Sequence, residues 1–74
     1  MPNPFQSSAL FRITGQDLIN GNLILSDATG REISKINFVG NEVRFYRNKI
    51  NSGLYFYQIK EGENLIVTGK LVIR

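Results

Sequence analysis

The chain alternates apolar and polar residues in short runs, and most runs are closed by glycine, asparagine or aspartate. That is the pattern of half-buried β-strands joined by turns. Residues 7–13 hold Leu10, Phe11 and Ile13 and are closed by Thr14-Gly15-Gln16-Asp17, which predicts a first strand and a turn. Leu18-Ile19 is a short apolar pair, and Asn20-Gly21 after it reads as a turn dipeptide. Residues 21–27 predict a second strand with Leu23 and Leu25 on one face and Ile24 and Ser26 on the other. Asp27-Ala28-Thr29-Gly30 predicts a tight turn, because aspartate at the first position can bond the turn's own amides and glycine at the fourth accepts positive φ.

Residues 31–38 form the return strand, in which Ile33, Ile36 and Phe38 depart from period two, so a bulge between Ile33 and Ile36 is expected to restore the register. After Gly40-Asn41 turns the chain, residues 42–47 alternate cleanly, with Val43 and Phe45 inward and Arg44 outward. A connection rich in turn formers, pinned by Ile50, leads to Leu54-Tyr55-Phe56-Tyr57-Gln58-Ile59. This segment has the densest β-propensity in the chain, is apolar on both faces and predicts a central strand. Glu61-Gly62-Glu63-Asn64 closes another hairpin, and residues 65–68 and 70–73 follow on either side of Gly69, with a strand expected to run up to Arg74. Leu71 and Ile73 fall on one face of that strand and Lys70, Val72 and Arg74 on the other. Turn signals about every eight to twelve residues, with no helical period, predict an all-β fold: an immunoglobulin-like antiparallel β-sandwich of about seven short strands.

Two prolines in Met1-Pro2-Asn3-Pro4-Phe5 fix φ and remove two backbone donors, so residues 1–6 read as an extended lead-in from an upstream linker, with Met1 set ahead of a cut segment, and residues 7–74 as the domain. A length of 74 residues is near the lower limit for one hydrophobic core. With 42% hydrophobic and 20% charged residues the chain has the composition of a folded domain rather than a disordered tail. No stretch approaches the ~20 apolar residues of a membrane span, and the N-terminus lacks the pattern of an export signal.

The formal charge is +3, but Arg12, Arg31, Lys35, Arg44, Arg47, Lys49, Lys60, Lys70 and Arg74 are spread along the chain, which argues against a nucleic-acid footprint. Histidine and cysteine are both absent. The usual general base, the thiol nucleophile and most transition-metal ligands are therefore missing together, and neither an enzyme nor a cofactor or metal is expected. Among the carboxylates, Glu61 and Glu63 flank a hairpin glycine and read as solvated turn charges. Gly53 and Tyr55 fit a tyrosine corner, in which a buried hydroxyl bonds nearby backbone and locks a sandwich crossover. Tyr46, Tyr55, Phe56 and Tyr57 offer an aromatic platform for a sugar or base, but alternation separates Phe56 from Tyr55 and Tyr57, so core packing is the expected role.

Four segments together carry a resemblance: Pro2-Asn3-Pro4-Phe5, the run from Leu23 through Asp27-Ala28-Thr29-Gly30 to Glu32, Ile50-Asn51-Ser52-Gly53-Leu54-Tyr55-Phe56-Tyr57, and the closing Gly69-Lys70-Leu71-Val72-Ile73-Arg74. In this order and spacing, over the whole chain, they resemble the type A C-terminal sorting domain of the type IX secretion system. Two positions depart from the family pattern. Ser26 stands where an aromatic is usual, with Ile24 and Ile36 expected to supply part of the missing area on that face, and Ile50 stands where leucine is usual.

The resemblance implies a non-enzymatic secretion and sorting signal that directs a larger upstream cargo across the outer membrane, passing through the periplasm to the cell surface or beyond. It implies recognition by the outer-membrane translocon, then removal by a sortase-like peptidase with release or surface anchoring of the cargo. Lys70, Leu71, Val72, Ile73 and Arg74 are the candidate recognition residues, because a partner could read the strand by β-addition and by its two charges, although edge protection by Lys and Arg explains the same charges. Pro2, Asn3, Pro4, Phe5, Asp27, Gly30, Gly53 and Tyr55 are candidate structural motif positions. The alternative is an accessory carbohydrate-binding or adhesion sandwich of a surface enzyme, resting on Tyr46 or Tyr57.

Overall fold

The computed structural model describes residues 7–74, so the expected lead-in with Pro2, Asn3, Pro4 and Phe5 lies outside the described residues. The described chain is all-β. Its six strands are β1 (Ser8–Arg12), β2 (Leu18–Asp27), β3 (Glu32–Gly40), β4 (Glu42–Tyr46), β5 (Gly53–Glu61) and β6 (Asn64–Ile73). β1 and β4 pair antiparallel as a two-stranded sheet, which packs on one face of a four-stranded antiparallel sheet ordered β3-β2-β5-β6. This arrangement matches strands B and E facing C′, C, F and G of an immunoglobulin-like sandwich. Strands equivalent to A and D are absent among the described residues, which is why the count is six rather than the expected seven.

Alternation decides what enters the core. β1 and β4 contribute Ala9, Phe11, Val43 and Phe45, and the larger sheet contributes Leu23, Leu25, Tyr55, Ile59, Leu71 and Ile73. Leu71 is 0% exposed, so the end of β6 is as deeply packed as any part of the molecule. Phe11 of β1 meets Tyr57 of β5 edge-on, with ring centroids 4.8 Å apart, and this contact joins the two layers. As expected, β5 is internal to its sheet, flanked by β2 and β6.

Three local expectations are corrected. Asn20-Gly21 is not a turn but lies inside β2, where two residues, Ile19 and Asn20, stand opposite Val39 between the Leu18/Gly40 and Gly21/Phe38 pairs. The Glu61 carboxylate accepts from the Ile19 N–H at 3.1 Å and the Asn20 N–H at 3.2 Å, and Gly62 N–H donates to the Asn20 carbonyl at 2.9 Å. These long-range partners satisfy the backbone groups that a local turn would otherwise have closed. Gly21 is needed for another reason: a Cβ there would lie 2.9 Å from both the ring and the carbonyl of Phe38 opposite.

The irregularity in β3 falls at Ile33 itself, between the Ser26/Glu32 and Leu25/Ser34 pairs, rather than after it. The bulge turns Ile33 toward the core beside Ile36 and Phe38. Ile36 therefore lies on the face opposite Ser26 and Ile24 and does not supply area beside Ser26. Finally, residues 64–73 form one strand. Gly69 does not interrupt it, because the Tyr57 ring on β5 lies across Gly69, where a Cβ would come within 2.6 Å of the phenol oxygen. An aromatic over a cross-strand glycine restores the packing that the missing side chain would have given.

Candidate functional site

The residues singled out in the sequence gather at one end of the sandwich, where the β2–β3 turn, the start of β5 and the end of β6 meet. β5 and β6 are in register there, with Tyr55 opposite Leu71, Leu54 opposite Val72 and Gly53 opposite Ile73. The expected two-faced character of the last strand holds: Leu71 and Ile73 are buried, Lys70 is exposed and Val72 is half-buried.

Tyr55 is the expected corner. It is 8% exposed, and its hydroxyl donates to the Asn51 carbonyl at 2.6 Å, four residues upstream in the β4–β5 connection. Gly53 just before it has φ +155°, at the edge of the range that L side chains rarely adopt, and a Cβ there would rest 3.7 Å from the Tyr55 ring. The hydroxyl therefore fixes where β5 begins, and β5 in turn sets the register of β6.

Arg47 provides a second brace that sequence reasoning missed. Its Nε donates to the Ile50 carbonyl at 2.9 Å, one terminal nitrogen donates to Ser52 Oγ at 2.9 Å, and the other donates to the main-chain carbonyl of Arg74. A planar guanidinium with donors on several sides can hold a loop and a strand end at once, which a lysine cannot. The main chain of Arg47 is tied as well, its N–H donating to the Ser7 carbonyl at 2.9 Å. The signal was parity: Val43 and Phe45 point inward, and Arg47 is the next inward position.

The Asp27 turn forms as the sequence predicted. Gly30 N–H donates to the Asp27 carbonyl at 3.0 Å and Gly30 has φ +93°. One Asp27 carboxylate oxygen accepts from the Thr29 hydroxyl at 2.6 Å and from the amides of Thr29 and Arg31 at 3.0 Å each. The Thr29 hydroxyl, assisted by the two amides and the nearby Arg31 guanidinium, holds the Asp27 carboxyl below the ordinary carboxylate range. Every lone pair so used serves the turn, which leaves this aspartate a structural role.

The aromatic set divides. Tyr55 is buried and Tyr57 half-buried, as core packing requires, but Tyr46 (59% exposed) and Phe56 (37% exposed) are not core residues. Tyr46 lies on the outer face of β4 and Phe56 on the outer face of the other sheet, on opposite sides of the molecule, so they do not form one platform. Among the described residues no cluster of three or more His, Cys, Asp or Glu side chains is placed to hold a metal.

The best-built features of this small sandwich are a corner, a turn and a braced strand end. The model for the secretion system C-terminal sorting domain matches residues 1–74, the whole chain. The chain belongs to that family, the C-terminal sorting domains of the type IX secretion system. No curated protein and no solved structure matches it. A domain of this family is a sorting signal rather than a catalytic domain, and it implies export through the secretion system together with an upstream cargo.

Proposed function

We propose that the domain is a non-enzymatic tail that takes its cargo through the periplasm and across the outer membrane, where it is recognised in folded form, removed by a sortase-like peptidase and parted from a cargo that is released or anchored at the surface. Residues 1–6 serve as the lead-in and residues 7–74 as the recognised unit. Within that unit Lys70, Leu71, Val72, Ile73 and Arg74 form the recognition strand. The observation that carries this reading is the rigid presentation of that strand. Leu71 and Ile73 are buried, Lys70 and Val72 face outward, and the Arg74 carbonyl is held by Arg47. A partner meeting such a strand has little chain entropy left to remove.

The test fuses residues 1–74 to a reporter exported to the periplasm of a host that carries the secretion system. The intact fusion should reach the medium or cell surface. Deleting residues 71–74 removes core side chains as well, so the decisive variant is Lys70→Glu with Arg74→Glu, which reverses charge on exposed positions. Retention of that folded fusion in the periplasm supports the recognition strand, and secretion at the intact level refutes it. A periplasmic intact fusion refutes the sorting role itself.

A further inference from the structure

The larger sheet has one face covered by β1 and β4, while its other face carries no second layer among the described residues. Alternation places on this bare face Lys35, Asn37 and Val39 of β3, Asn22, Ile24 and Ser26 of β2, and the side chains of β5 and β6 opposite to the core set. It is unusually apolar for an uncovered surface: Val39 is 78% exposed, Leu65 52%, Leu54 43% and Phe56 37%. It is also basic, with Lys35, Lys60 and Lys70 against Glu32 and, in the β5–β6 turn, Glu63.

Among the described residues, two hollows lie on this face. The smaller, about 230 Å³, is lined by Asn22, Ile24, Lys35, Lys60, Gly62 and Glu63. Lys35 is opposite Ile24 and Lys60 opposite Asn22, so the two lysines stand on either side of β2, one strand-repeat apart. Neither is ion-paired among the described residues, and Glu63 offers one carboxylate against the two. The Asn22 floor is fixed: its side-chain oxygen Oδ1 accepts from the Asn37 side-chain amide, and its own Nδ2 donates to the Asn20 main-chain carbonyl at 3.4 Å. The larger hollow, about 510 Å³, lies along the same face beside Phe56, Gln58, Thr68 and Ser26 and is walled by the Asp27 turn. The Ile24–Gln58 pair lies between the two.

The outer face of the small sheet makes the contrast. There Arg12 is paired with Glu42 at 2.6 Å and Arg44 reaches Ser8 Oγ at 3.3 Å, so its guanidinium groups already have partners. Unpaired lysines converging on a hollow, next to exposed aliphatic and aromatic surface, complement a partner that brings carboxylates flanked by apolar side chains. A membrane surface fits less well, because insertion favours an apolar apex, whereas here polar Asn22, Gln58 and Thr68 lie between the apolar positions and the lysines flank a hollow.

We infer that the bare face of the β3-β2-β5-β6 sheet docks an acidic, extended segment of a protein partner, with a carboxylate seated between Lys35 and Lys60 and an apolar side chain over Phe56. The inference rests on the sorting role, and assigns to the secretion machinery a contact surface apart from the end of β6.

The same reporter fusion tests it. Lys35→Glu with Lys60→Glu, and separately Phe56→Ser, should each cut secretion about tenfold or more, as loss of a docked charge pair or anchor requires. Lys49→Glu, a single charge reversal on the exposed β4–β5 connection, should leave secretion unchanged. Thermal unfolding of each purified domain checks folding, and Lys35→Gln with Lys60→Gln serves if the reversed pair fails to fold. Secretion of folded lysine variants at the intact level overturns the inference. Failure of the unaltered fusion to leave the periplasm instead overturns the sorting role. Vesicles of phosphatidylcholine with and without phosphatidylglycerol form a second arm: lysine-dependent binding to the anionic vesicles alone would make this a membrane face and overturn the protein partner.

Discussion

The two faces of the four-stranded sheet are made by the same residues counted odd and even, yet they obey different rules. On the covered face each side chain is fixed by its neighbours: Leu23, Leu25, Ile59, Leu71 and Ile73 are each no more than 2% exposed. On the bare face apolar and cationic side chains stand in water, beside ties such as the Asn37–Asn22 contact and the Thr68 hydroxyl, which donates to the Tyr57 carbonyl at 2.9 Å. Covered positions set stability and bare ones are those the proposed docking would use, so a single strand such as β6 has separate residues for each. In a domain this small, stability has few residues to rest on, which sharpens the division.

Substitutions can break that comparison in order of size. Leu71→Ala should lower unfolding free energy by ~2–5 kcal/mol, read from urea denaturation, whereas Lys35→Ala on the bare face should stay within ~0.5 kcal/mol. Equal effects from the two would abolish the distinction. Gly69→Val drives a side chain into the Tyr57 ring and should cost ~1–3 kcal/mol, and pairing it with Tyr57→Leu should recover part of the loss. Tyr55→Phe removes one hydroxyl bond to Asn51 and should cost ~1 kcal/mol, with faster amide exchange at the start of β5.

The smallest effect is acid sensitivity at the Asp27 turn. Because folding lowers the Asp27 pKa, its stabilising contribution is present above the ordinary carboxylate value and is lost as pH falls through the lowered one. Acid unfolding of Asp27→Asn should therefore depend less on pH in that range than that of the unaltered domain.

Which faces the strands bury, and where β1, β4 and β5 fall, was legible from alternation and turn residues, since both are local. The Asp27 turn and the Tyr55 corner were legible for the same reason, each closing within four residues. What escaped depended on partners distant in sequence. Asn20-Gly21 has the chemistry of a turn, and the Glu61 carboxylate and the Gly62 amide, some 41 residues away, bond its backbone within a strand. Gly69 looked like a break because the ring that covers it belongs to another strand. Arg47 and Glu61 share a readable mark. Each continues the inward parity of its strand after Val43 and Phe45, or after Tyr55, Tyr57 and Ile59. A charge where alternation calls for an apolar side chain signals a long-range bond to backbone.

Arg47 has one more consequence, for mechanics. Its amide holds the Ser7 carbonyl and its guanidinium holds the Arg74 carbonyl, so the first and last described residues are clasped by one side chain and its own backbone. The path from Ser7 to Arg74 is thereby closed into a ring, and tension applied upstream of β1 loads the same clasp that secures the end of β6.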